Sequence, residues 1–322
     1  MKYILTPNGE DHGHAGDPST QLIGYRPDTA KYTLQSTKGT SNVLKNPYAL
    51  PIAFSANSKA LKTTMLHNNP LQNQGNLWQN LSDDATSPIH VENFQQSIGN
   101  NVNAPTAITG ALLTKLNKTQ PAQLNLKFTP TTNDSYYLTL GSGLPIKEFD
   151  LLINGKVITQ FSSYRHTVLV NLATGVKNKT QTVTIRFKNT QSLVLNNVTL
   201  YRVDNTQFQK NNHQLKQHPI KITKRSERLI SGEITTTKKQ PLIMTTIPDA
   251  PGWHVTLDGK SVSPSKVANY FIAVKTIPGK HTIQFKYTPP LFWSGLFMSL
   301  FAALILILGF ILKKKLARKR FT

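Results

Sequence analysis

The stretch PPLFWSGLFMSLFAALILILGFILKKKLARKR, Pro289 to Arg320, constrains everything that precedes it. No charged residue falls between Leu291 and Leu312, and about 20 apolar residues in helical form suffice to cross a bilayer core. Phe292, Trp293 and Phe297 crowd the first turns, where aromatic rings favour the interface. Lys313, Lys314, Lys315, Arg318, Lys319 and Arg320 follow at once, and such a cluster marks the cytoplasmic side of a span. A core helix of this length would carry a polar face, and this run has none. The sequence therefore predicts a transmembrane helix over 291–312, a basic cytoplasmic tail over 313–322, and a cell-membrane protein whose bulk is extracytoplasmic.

Export of that bulk needs a signal. The N-terminal MKYILTPNGEDHGHAGD offers an apolar run of about three residues, whereas a secretory signal uses roughly 7–15. A tail-anchored topology would drag the cationic tail across the membrane, which the same charge rule disfavours. The expectation is that Met1 follows a missing N-terminal membrane portion, so that the chain is the C-terminal part of a larger membrane protein.

Composition narrows the partners. There is no Cys, which excludes a disulfide framework and thiolate metal sites. The net charge is +22, and the six tail cations leave +16 to the rest. A basic ectodomain calls for an anionic neighbour such as membrane lipid or a phosphate-rich wall polymer. Nucleic acid is excluded by the expected side of the membrane and by the lack of any recognition motif.

The apolar pattern has two regimes. Before residue 123 it is irregular. KYIL and PIAFSA suggest short strands, and NPLQNQGNLWQNLSDD places Leu71, Leu77, Trp78 and Leu81 on one helical stripe behind Pro70. A second short helix is expected around Ala111–Leu116. From Gln123 onward the period is two: QLNLKF, SYYLTL, FDLLIN, TVLVNL, QTVTIRF and NNVTLYRV alternate apolar and polar residues. The segment NTQFQKNNHQLKQH interrupts as a helix ended by Pro219. Alternation then resumes through IKITK, LISGEITT, PLIMTTI, WHVTLDGKSV, YFIAVK and HTIQFKYT. The fold class is mainly β. An irregular α/β N-terminal segment, 1–122 with a helix near 70–83, precedes two tandem antiparallel β-sandwich (jelly-roll-like) domains at 123–204 and 220–288. A linking helix at 205–219 joins them, and the single C-terminal transmembrane helix follows. The two β regions resemble each other: INGKVI parallels LDGKSV, and TVTIRFK parallels HTIQFKY. Both hairpins turn on Asn-Gly or Asp-Gly, pairs suited to a type I′ turn.

Candidate chemistry is sparse. Glu10, Asp11, His12, His14 and Asp17 gather near the N-terminus as possible metal ligands, but the surrounding glycines favour a solvated loop, and no metal or cofactor is expected. Glu148 and Asp150 share one strand face, where a polar outer surface is the default. No phosphate loop or nucleophile elbow is present, and no catalytic residue is assigned. Two clusters suit ligand binding: Tyr164, Arg165 and His166 in a sandwich loop, where an aromatic ring beside polar donors suits a sugar, and Trp253 with His254. For Trp253 a core or domain-junction anchor is the stronger expectation.

The succession IPDAPGWHVTLDGKSV, IPGKHTIQFKYTPPLFWSG and the apolar run resembles the end of the YfhO family, large multi-span membrane proteins of Gram-positive bacteria. KNPYALPIAFSA and NPLQNQGNLWQNL resemble that family's earlier extracytoplasmic stretch and helix, so the likeness runs through most of the chain in order. Asp249 departs from the pattern, which commonly has an aromatic there. The resemblance implies kinship with C-type glycosyltransferases that use a polyprenyl-phosphate sugar to glycosylate teichoic acid or another cell-envelope polymer. In that pattern the catalytic carboxylate follows an early span, so no residue here inherits it. The alternatives are a non-enzymatic, membrane-anchored module binding wall glycan or anionic polymer, and a scaffold for another membrane subunit.

Overall fold

The computed structural model describes residues 2–7, 21–22, 26–39, 41–141, 143–144, 148–158 and 167–319. Along the chain run β1 (Tyr3–Pro7), β2 (Gln21–Leu22), β3 (Thr33–Lys38), β4 (Ser41–Lys45), β5 (Ala53–Ala56), α1 (Pro70–Ser82), β6 (Ile89–Glu92), β7 (Gln96–Asn100) and β8 (Leu112–Thr114). Next come β9 (Gln123–Phe128), β10 (Ser135–Leu140), β11 (Phe149–Ile153), β12 (Lys156–Ile158), β13 (Val168–Thr174), β14 (Gln181–Phe187), β15 (Ser192–Val194), β16 (Leu200–Val203) and α2 (Asn205–Leu215). The last group is β17 (Lys221–Ser226), β18 (Leu229–Thr236), β19 (Leu242–Pro248), β20 (Trp253–Leu257), β21 (Lys260–Val262), β22 (Ser265–Val267), β23 (Phe271–Lys275), β24 (Gly279–Tyr287) and α3 (Phe292–Lys319).

The alternating residues close two cores. In the first sandwich the sheet β13-β10-β16-β6 faces β2-β12-β11-β14-β9-β7. Leu138, Val170 and Leu200 from one sheet meet Leu124, Leu151 and Ile185 from the other in a single buried cluster. In the second, β17-β18-β24-β20-β21 faces β22-β23-β19-β5, with Ile234, Ile283 and Phe285 packed against Ile243, Ile272 and Ala53. Strands from before Gln123 complete both: β6 and β7 pair with β16 and β9, and β5 pairs with β19. A third cluster joins Leu81 of α1 and Leu215 of α2 to Phe54, Leu242 and Met244. The helices are thereby fixed to the second sandwich as well as to the first.

The likeness between the two β regions extends to topology and hydrogen bonds. The order β12-β11-β14-β9 in one sheet matches β21-β20-β24-β18 in the other. Both hairpins turn through two residues of positive φ, Asn154-Gly155 and Asp258-Gly259, as a type I′ turn requires. Thr182 N–H donates to Asn154 Oδ1 at 2.9 Å, and Thr282 N–H donates to Asp258 Oδ1 at 2.8 Å. The neighbouring contact is Asn154 Nδ2 to Gln181 Oε1 at 2.8 Å in the first sandwich. In the second it is His281 Nδ1 to Asp258 Oδ2 at 2.7 Å.

The short helix expected around Ala111–Leu116 is a strand instead. β8 pairs with β15, setting Leu113 opposite Leu193, and both side chains are buried. Tertiary pairing decides so short an apolar run, which carries no period of its own. β1, β4 and β3 make a small exposed sheet. α3 is long and apolar enough to cross a membrane over Phe292–Lys313, and its side chains lie outside both cores.

Candidate functional site

The helices, the N-terminal sheet and both sandwiches meet around one cleft of about 1090 Å³. Four half-buried aromatic rings line it in a chain of edge-on contacts. Tyr32 meets Tyr48 at 6.4 Å between centroids, Tyr48 meets Phe208 at 5.5 Å, and Phe208 meets Trp78 at 4.7 Å. Each ring comes from a different element. Tyr32 follows the 3₁₀ turn Pro27–Lys31. Tyr48 follows β4 and is held by Asn46 Oδ1 on its N–H at 2.8 Å and by Asn212 Nδ2 on its carbonyl at 2.7 Å. Trp78 lies on α1, begun at Pro70 and closed by Asp83 in the left-handed region. Phe208 lies on α2, whose first turn is fixed twice: Gln207 N–H donates to the Asp204 cap at 2.9 Å, and Asn205 N–H donates to Asp134 at 3.0 Å.

Asp134 ties the helix to the sheet. Its Oδ2 accepts from Arg202 at 2.8 Å, and Arg202 also reaches Glu92 at 2.7 Å. Burial pushes the Asp134 carboxyl up, but hydrogen bonds from Thr132, Asn205 and Arg202 outweigh it and leave the pKa lowered.

Asp28 and Tyr137 add a polar pair to the same lining, next to the Tyr32 end of the row. Arg26 grips Asp28 with two bonds, Nε to Oδ1 at 2.8 Å and Nη2 to Oδ2 at 2.9 Å. Asn171 Oδ1 accepts the Asp28 N–H at 2.8 Å, and the Tyr137 hydroxyl donates to Asp28 Oδ2 at 3.2 Å. Burial first, then the Asp28 charge and hydrogen bond, push the Tyr137 phenol well above its ordinary range, so it acts as a donor at any physiological pH. Gln74, Asn133, Asn205 and Gln209 add amides to the lining. Among the described residues, Gln74 and Gln209 spend neither amide group on a protein partner. Lys2, Lys31 and Arg225 add cations. Aromatic faces beside amides, hydroxyls and a carboxylate match a polyhydroxylated ligand: the rings take its C–H faces and the polar groups its hydroxyls.

The sequence candidates fall elsewhere. Tyr164, Arg165 and His166 lie outside the described residues, as do Glu10, Asp11, His12, His14 and Asp17. Trp253 opens β20 opposite Tyr287, with ring centroids 5.1 Å apart, and packs against the second core. It stands at the junction with α3 and does not line the cleft. Exposed His254 faces Lys286 across the strands. Asp150 is held by Arg186 at 3.0 Å and Lys188 at 2.6 Å. Asp249 pairs with Lys266 at 2.6 Å. No group of three or more His, Asp or Glu side chains gathers to hold a metal among the described residues. The cleft was missed because its residues are scattered between positions 2 and 246. The one legible sign was Trp78 on the apolar stripe of α1.

A family model described as bacterial membrane protein YfhO matches residues 1–299. No curated protein matches. Among solved structures, the β-glucuronidase of Ruminococcus gnavus in complex with D-glucuronic acid is similar at 13% identity and a TM-score of 0.21, over 53% of this chain and 34% of that one. Its apo structure aligns at 13% identity and a TM-score of 0.22, over 52% and 33%. The chain thus spans about a third of those structures, and a likeness at this level carries no argument about the cleft.

Proposed function

Since this chain belongs to the YfhO family of bacterial membrane proteins, we propose that it is the glycan-handling extracytoplasmic part of an envelope glycosyltransferase, anchored by α3. In this reading the cleft holds a saccharide of an anionic envelope polymer, teichoic acid or a relative, while sugar is transferred from a polyprenyl-phosphate donor. The observation that carries it is one cleft lined by the row Tyr32–Tyr48–Phe208–Trp78, the Asp28–Tyr137 pair and the unspent amides of Gln74 and Gln209. A second reading, a non-enzymatic glycan-binding module, is favoured by Asp28. Its two oxygens already accept from Arg26 and Tyr137, an arrangement suited to holding a hydroxyl more than to moving a proton.

The test is titration of the full chain in detergent with glycosylated and unglycosylated teichoic acid fragments, following Trp78 fluorescence in a Trp253→Phe, Trp293→Phe background, since the chain holds three tryptophans. Saturable binding that prefers one saccharide is expected. Tyr48→Ala should weaken it about fivefold, since a stacked aromatic contact contributes about 1 kcal/mol. Binding indifferent both to the saccharide and to Tyr48 would overturn the assignment of the cleft. Sidedness is tested on intact cells, where the chain's lack of Cys makes single-Cys labelling clean. Lys260→Cys should react with an impermeant thiol reagent, and Lys319→Cys should react only after the cells are opened.

A further inference from the structure

The end of the second sandwich that meets α3 sets cations beside aromatic rings. β24 ends at Tyr287 and α3 begins at Phe292, so with α3 in a bilayer this end lies at the lipid surface. Strand register shows what else is there. Tyr287 faces Trp253, Lys286 faces both Leu229 and His254, and Ser226 faces Leu229. The β17–β18 turn therefore sits level with the start of the span. Tyr287 N–H donates to Arg228 O at 2.8 Å, and the Arg228 guanidinium lies 5.8 Å from the centre of the Phe292 ring. Trp253 with Tyr287, and Phe292 with Trp293, form two aromatic pairs at this level.

The charges are lopsided. Every residue from Lys221 to Arg228 is exposed. Lys224, Arg225, Arg228 and Lys286 stand against one unpaired carboxylate, Glu227. Asp249, in the loop before Trp253, is already bonded to Lys266. Among the described residues, none of those four cations is in an ion pair. Cations and aromatic rings in one band beside a span are what a headgroup layer attracts. Arg225 adds a link to the cleft. It is opposite Ile230, whose next neighbour Phe285 is core, so it occupies the inner face of an edge strand, and it lines the cleft. An inward charge on an edge strand also blocks sheet-to-sheet pairing. Its place in the cleft wall gives it a second use.

We propose that this end is a docking collar for anionic lipid headgroups. Lys224, Arg228 and Lys286 bind the headgroup layer around the aromatic band, and the docked posture holds the Arg225 edge of the cleft at headgroup level. The collar does not depend on which ligand the cleft takes.

The test uses the full chain in vesicles of phosphatidylcholine alone, or with added phosphatidylglycerol. Ser226→Cys at the collar and Lys238→Cys, an exposed position just past Thr236 at the far end of the sheet, each carry one environment-sensitive fluorophore. Strand β18, which runs from Leu229 beside Ser226 to Thr236 just before Lys238, separates the two sites by roughly 30 Å. With headgroup spin-labelled lipid, strong quenching is expected at Ser226 and little at Lys238. Quenching at Ser226 should rise with phosphatidylglycerol and fall with salt. In the Lys224→Gln, Arg228→Gln, Lys286→Gln triple variant it should drop to the level of neutral vesicles. Equal quenching at both sites, or quenching at Ser226 indifferent to lipid charge and to the triple variant, overturns the proposal. Circular dichroism of the triple variant separates loss of docking from loss of fold.

Discussion

Asp258 and His281 lie in LDGKSV and HTIQFKY, the two stretches that parallel the first sandwich, and the structure gives them a mechanical task. Asp258 heads a tight turn at positive φ, and its carboxylate takes the Thr282 N–H and the His281 ring. The other nitrogen of that buried ring, Nε2, lies 2.8 Å from Ile277 O and 2.7 Å from Thr276 Oγ1. Gln181 plays the same part against Asn154 in the first sandwich without any charge. Burial lowers the His281 pKa, but the Asp258 hydrogen bond, the Ile277 carbonyl and the Asp258 charge outweigh it and leave it above 6.5. The His281 hydrogen bond first, then the Thr282 N–H, hold Asp258 below 3.8. The folded state thus keeps a proton on His281 that the unfolded chain releases. That stabilisation is full below pH 6.5 and is lost as pH rises through the folded pKa. The Asp258 part is present above about pH 4 and is lost on acidification. Thermal unfolding of the full chain should show a transition that weakens above neutrality. His281→Gln with Asp258→Asn should flatten that dependence by restoring the uncharged pair of the first sandwich. An unchanged slope in the double variant would assign the pH effect to other groups.

Among the elements, α1 shows best why a glycine can matter without a positive φ. A Cβ on Gly75 would stand 2.2 Å from Ser87 Oγ and 3.1 Å from Ile89 Cβ, so the helix lies directly on the approach to β6. Ser87 Oγ is not free to move, because it accepts the Ile89 N–H at 3.1 Å. Gly75→Ala gains about 1 kcal/mol of helix propensity, but overpacking costs about 1–3 kcal/mol. Net destabilisation is expected, together with loss of saccharide binding, because α1 carries Trp78 and Gln74 into the cleft. A more stable variant with intact binding would mean that α1 tolerates a shift. The same helix marks how far the sequence could be read. Its stripe and its Pro70 start were legible because they are local, as were the alternating strands after Gln123 and both glycine turns. β6, β7 and β8 were not, being short strands whose partners lie from 23 residues away, Asn100 opposite Gln123 in β9, to 114, Ile89 opposite Val203 in β16. The cleft was least legible, since Tyr32, Tyr48, Tyr137 and Phe208 become neighbours only once both sandwiches and α2 are in place.

For the whole molecule, two kinds of attraction to an envelope polymer should coexist and come apart under salt. The net charge of +22, of which +16 lies outside the basic tail, draws a polyphosphate chain by long-range Coulomb force. Exposed charges are screened over about 8 Å at physiological ionic strength, so this component should weaken steeply as salt is added and should ignore the sugar. The cleft works differently. Its rings and amides act at contact distance on uncharged groups, so salt should leave that component nearly unchanged while sugar identity decides it. Titrations of the full chain with teichoic acid at low and high ionic strength should therefore resolve a strong, unselective mode that disappears and a weaker, selective mode that survives. Tyr48→Ala should remove only the second. Neutralising Lys224, Arg228 and Lys286 should reduce only the first, because none of the three lines the cleft. If salt abolished the selective mode as well, recognition would rest on Arg225, Lys2 and Lys31 at the cleft wall, and the ligand's phosphate would be what the cleft reads.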